Sequence, residues 1–126
     1  SYSELCDQCL TKNLRKTTNI LNENNYDNQD CIAIIRTMIS KVKRLVKLKE
    51  ENLYEKNIDT IVTNFKPPIF WKDKEIVKTQ MKNWNLETAR KLMYELNNLE
   101  LLVKKNVDKS VNILKDFIIS KAKVSN

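Results

Sequence analysis

Apolar positions recur at steps of three and four along almost the whole chain, and no segment alternates with period two, so the pattern predicts helices and no sheet. A short first helix, with Ser3 as its cap and Glu4 near its positive end, carries Leu5, Cys6, Cys9 and Leu10 on one face. Asn13 caps a second helix with Leu14, Thr18 and Leu21 inward. The Asn-rich stretch at 22–30 is a turn, in which Asn24-Asn25 can take the left-handed conformation that glycine usually supplies. The third and longest helix runs from about Gln29 to Glu51. Its main stripe is Cys31, Ile35, Met38, Val42 and Leu45, widened by Ile32, Ile39, Val46 and Leu53.

Beyond it, Ile58, Ile61, Val62 and Phe65 share one side of a fourth helix, which Pro67 ends. Asp73 caps a fifth, with Val77, Met81 and Trp84 inward, and Asn85 caps a sixth, with Glu87 in its first turn. The sixth buries Leu86, Ala89, Leu92, Leu96, Leu99 and Val103. Asp108 caps the last, with Val111, Leu114, Phe117 and Ile118 inward. Short connections between such helices predict an all-α, compact single-domain bundle of about six or seven helices spanning residues 1–126.

Composition narrows the function. The 126 residues include no glycine and no histidine, and the net charge is +7. That charge is uneven: residues 1–30 are net −2, residues 31–66 net +4 and residues 67–126 net +5. Such a balance suits an acidic partner, either nucleic acid or protein. No apolar run approaches the ~20 residues of a membrane span, which argues against a membrane partner. The opening "SYSELCDQCL" has neither the basic start nor the apolar core of a signal peptide, and an odd count of three cysteines suits a reducing compartment. A cytoplasmic location is expected. The abrupt start suggests a fragment of something longer.

The chemistry-bearing residues offer little for catalysis. Cys6-x-x-Cys9 has redox spacing, but both thiols fall on the apolar face of a helix with no preceding strand, and one further cysteine does not complete a zinc site. They are read as core. Without histidine the commonest general base near neutral pH is missing, and without glycine no Gly-rich phosphate loop can form. No catalytic residue, cofactor or metal is assigned, and the chain is read as a non-enzymatic binding or structural module. A basic series, Arg36, Lys41, Lys43, Arg44, Lys47 and Lys49, runs without an acid between Asp30 and Glu50. Within it Arg36, Lys43, Arg44 and Lys47 are candidate phosphate contacts, although solvated helix faces also carry lysine.

The stretch "NFKPPIFWKDKEIVKTQMKNWNLE" gathers both prolines and four of the five Phe and Trp residues. Phe65, Pro67, Pro68, Phe70, Trp71 and Trp84 are expected to build a buried crossover between helices, bracketed by Lys66 and Lys72 with their charges in water.

From this corner onward the chain resembles the C-terminal helical domain of the delta subunit of bacterial DNA polymerase III, a component of the sliding-clamp loader. That family often has an Arg-Pro-Pro-aromatic corner, a helix ending in Trp-Ser, and a long helix ending near Glu-Leu-x-x-Lys. The matching residues are Lys66 through Lys72, Trp84-Asn85, and Glu100-Leu101 with Lys104. Upstream, two short helices, a turn and the long helix of residues 32–49 fit the same order. Lys66 stands where arginine is common, Asn85 where serine is common, and the turn at Asn24-Asn25 lacks the usual glycine.

The resemblance implies a clamp-loader collar domain that holds subunits in a ring while the sliding clamp is loaded onto DNA during replication. Its implied partners are delta-prime and gamma/tau-type loader subunits. Contact with the sliding clamp would run through an N-terminal region outside this chain, and any contact with DNA would be indirect. Apolar residues off the inward stripes, namely Leu101, Leu102, Ile113, Ile119 and Tyr94, are the candidate partner surface. The alternative is a free-standing basic helical module that binds nucleic acid through the third helix.

Overall fold

The computed structural model describes residues 1–124, which form seven α-helices and no strand. In chain order these are α1 (Tyr2–Leu10), α2 (Leu14–Glu23), α3 (Asn28–Asn52), α4 (Ile58–Asn64), α5 (Lys74–Asn83), α6 (Leu86–Lys105) and α7 (Ser110–Ala122). The all-α bundle expected from periodicity is what the chain builds. No helix among the described residues is long and apolar enough to cross a membrane.

α3 is the hub. Its most extensive packing is against α6, and α1, α4, α5 and α7 also lie on it. The predicted stripe Cys31, Ile35, Met38, Val42 and Leu45 is fully buried, and Ile34 and Leu48 join it. Of the widening stripe, Ile32, Ile39 and Val46 are half-buried, but Leu53 is exposed, one residue past the end of α3 at Asn52. On α2 the inward residues are Thr17 and Leu21, whereas Leu14 faces solvent. Thr17 satisfies its buried hydroxyl by donating to the Asn13 carbonyl at 2.7 Å.

The helix ends separate what side chains dictate from what backbone context dictates. Asn13, Asn57 and Asn85 cap α2, α4 and α6 through their side chains, and Asn85 with Thr88 forms a reciprocal capping box. Ser1, and not Ser3, caps α1. Asp73 and Asp108 make no capping bond, because each lies in a 3₁₀ turn (Trp71–Asp73 and Val107–Lys109) whose backbone feeds directly into the next helix. Lys109, not Asp108, precedes α7.

The left-handed residue is also elsewhere than expected. Asn24 is extended, while Lys12 has φ 59° and is the one described residue with positive φ. Lys12 closes α1 with paired bonds: its own N–H donates to the Cys9 carbonyl and that of Asn13 to the Gln8 carbonyl, both at 3.0 Å. This is the arrangement glycine usually completes. In a chain without glycine, a lysine accepts the strain.

A buried polar contact ties three helices. Asp7 of α1 receives the Lys41 ammonium of α3 at 3.0 Å and the Gln80 amide of α5 at 3.1 Å. Gln80 also donates to the Asp7 carbonyl at 3.3 Å. Cys6 and Cys9 lie in the core, their thiols directed at the carbonyls of Ile34 and Ile118. Burial pushes the Cys6 thiol up and that of Cys9 up to about 12, so both stay protonated and unreactive near neutral pH.

Candidate functional site

The core-facing positions of α3 leave Arg36, Ser40, Lys43 and Lys47 along its outer side at steps of four and three, with Arg44 beside them. This stripe floors an open groove of about 720 Å³. Ser3 at the start of α1 and Phe65 and Pro67 of the corner also line it. All four candidate phosphate residues, Arg36, Lys43, Arg44 and Lys47, line this single groove. A second hollow of about 520 Å³ lies toward α6, bounded by Val46, Glu50, Arg90 and Met93. Lys43 and Lys47 border both, so they form the ridge between them.

The basic series divides by partner. Lys41 is committed to Asp7. Lys49 donates to the Met81 carbonyl at 3.0 Å, near the negative end of α5. Arg36 reaches Glu100 at 3.7 Å, and Glu100 also accepts from Lys104 at 2.8 Å. The Lys104 hydrogen bond, helped by Arg36, holds the Glu100 carboxyl below the usual glutamate range. Among the described residues, Lys43, Arg44 and Lys47 form no ion pair. Arg90 on the far side is paired with Glu50 at 2.9 Å.

The aromatic corner is only half buried, which corrects the expected crossover. Phe65, Ile69 and Trp84 are in the core. Phe70 and Trp71 are 58% and 69% exposed, and both prolines face solvent. The reason is geometric: the extended segment after Phe65 turns Ile69 inward, and the 3₁₀ turn that follows carries Trp71 outward. Phe70 and Trp71 tilt together with centroids 6.0 Å apart, and the Lys72 ammonium lies 5.4 Å from the Trp71 ring centre. Trp84, by contrast, is fixed: its indole N–H donates to the Leu10 carbonyl at 2.9 Å, and Lys12 covers its face at 4.1 Å.

The candidate partner residues also divide. Tyr94, Leu101 and Leu102 on α6 are exposed. Ile113 and Ile119 are half-buried and pack against the domain's own core, because α7 is contacted from several sides, by α1, α2, α3 and α6. Sequence reasoning did not find Val107, which is exposed just past the end of α6, or Tyr54, which is 90% exposed beyond α3. Their positions at helix ends, outside any periodic stripe, left no signal beyond residue type.

Compared with protein-family models, curated proteins and solved structures, the chain matches none.

Proposed function

We propose that this chain is a scaffold: the C-terminal collar domain of a delta-type clamp-loader subunit, which holds neighbouring subunits by packing and performs no chemistry. The observation that carries this reading is the set of apolar side chains the core does not use. Tyr94, Leu101 and Leu102 project from α6, and Val107 is also exposed just past its end. Side chains of this kind at the centre of a protein contact are what subunit packing requires. The resembling positions have compatible local roles. Trp84 joins α5 to α1, Asn85 caps α6, and Glu100 with Lys104 braces the end of α6 against Arg36.

Mixing the chain with delta-prime and gamma/tau-type subunits and following size-exclusion chromatography tests the proposal. The wild-type chain should co-elute with them. Leu102→Glu should abolish co-elution while the helical circular dichroism and melting temperature stay the same. Co-elution undiminished in Leu102→Glu, or absent in the wild type, rejects the collar reading.

One observation favours a second reading, a basic module that binds nucleic acid: five cations line one groove, and among the described residues three of them, Lys43, Arg44 and Lys47, form no ion pair. Phosphate binding there should weaken steeply with salt, whereas apolar collar packing should hardly respond.

A further inference from the structure

We propose that the groove on α3 and the exposed corner beside it bind a single strand of nucleic acid, with the phosphates along Arg36, Lys43, Arg44 and Lys47 and a base stacked on Trp71. The inference rests on the nucleic-acid reading and adds to it the class of nucleic acid and the stacking residue.

The charge is one-sided. None of the described residues that line the groove is acidic, and the hydroxyls of Ser3 and Ser40 add neutral donors of the kind that accompany lysine and arginine at phosphate oxygens. The stacking surface is adjacent. Pro67 lines the groove and Trp71 follows it by four residues, a chain distance of at most about 14 Å. Trp71 presents its ring to solvent with Phe70 against it and the Lys72 ammonium nearby. A basic track leading to an exposed aromatic ring is the combination that single-strand binders use. A duplex keeps its base faces stacked on one another and offers the ring nothing except at its ends. An acidic polypeptide would meet the cations but leave Trp71 and Phe70 without a role. The strand therefore accounts for both halves of the surface at once.

Fluorescence anisotropy with a labelled oligodeoxythymidylate of about twelve nucleotides, a length within the range of known single-strand sites, reads the proposal directly. If about three phosphates are neutralised, a roughly fourfold rise in salt should weaken binding by about 20-fold. Lys43→Gln with Lys47→Gln should flatten that salt dependence and leave the fold intact. Trp71→Ala should weaken binding by about tenfold. The oligomer should quench tryptophan emission in the wild type but not in Trp71→Ala, where only buried Trp84 remains. A blunt duplex of equal length should bind more weakly. If the duplex binds as tightly, or Trp71→Ala keeps full affinity, the single-strand site is wrong while the basic-groove reading stands. If no oligomer binds, or polyglutamate displaces it equally well, both fall. Neither result bears on co-elution with loader subunits, so the collar reading is tested separately.

Discussion

Lys41, Lys43, Arg44 and Lys47 of α3 all border one groove, but Lys41 is tied through Asp7 and Gln80 to α1 and α5, whereas the other three are not. The side chains are of one chemical kind and lie within two turns of each other. The difference is what stands opposite. Lys41 faces the carboxylate of Asp7, itself held by Gln80, and so becomes part of the fold. The three cations beyond it face hydroxyls, an aromatic ring and a proline. Whether a lysine supports structure or remains free to meet a ligand is thus decided by a residue on another helix.

The comparison breaks most visibly at Asp7. Asp7→Ala leaves the half-buried Lys41 ammonium unpaired and takes the side-chain acceptor from buried Gln80, and should cost about 1–3 kcal/mol in urea unfolding. Combining Lys41→Met with Asp7→Leu should recover most of that loss, since an apolar pair of similar size serves as well in a largely buried site. If Asp7→Ala unfolds at the wild-type urea concentration, the contact does not hold the helices. The corner offers the same contrast between aromatics. Trp84→Phe removes the bond to the Leu10 carbonyl and weakens the contact with Lys12, with an expected loss of about 1–2 kcal/mol. Trp71→Ala should stay within about 0.5 kcal/mol of wild type by thermal melting. Equal effects at the two tryptophans would contradict the division into a fixed and an exposed half.

A small effect that depends on pH lies at Glu100. Its carboxyl is held below the ordinary range, chiefly by Lys104. A carboxylate with a lowered folded pKa contributes stability above its unfolded pKa and loses it as pH falls through the folded value. Wild type should therefore exceed Glu100→Gln by about 0.5 kcal/mol near neutral pH. The gap should close on acidification below the usual glutamate range. A gap that persists in acid would mean that shape, not charge, is responsible.

Much of this architecture is legible from periodicity alone. The buried faces of α1, α3, α5 and α6 follow from apolar spacing, and Asn13 and Asn85 announce their helices because a capping side chain acts within three residues. Asp73 and Asp108 mislead because a neighbouring 3₁₀ turn settles the helix start before the side chain can act, and Ser3 misleads because Ser1, two residues earlier, already caps α1. In the corner, residue type says that Phe70 and Trp71 are apolar but not which way an extended segment turns them. The basic stripe is legible as a stripe. Which cations on it stay free is not, since Asp7 and Glu100 reach it from other helices.

The three thiols have a practical use. Cys6, Cys9 and Cys31 are all free and inaccessible, and burial raises every one of their thiol pKa values. A thiol-modifying reagent added to the folded chain therefore has nothing to attack until α1, α3 and α7 separate. The labelling rate of the unaltered protein would time that separation, with no reporter group introduced.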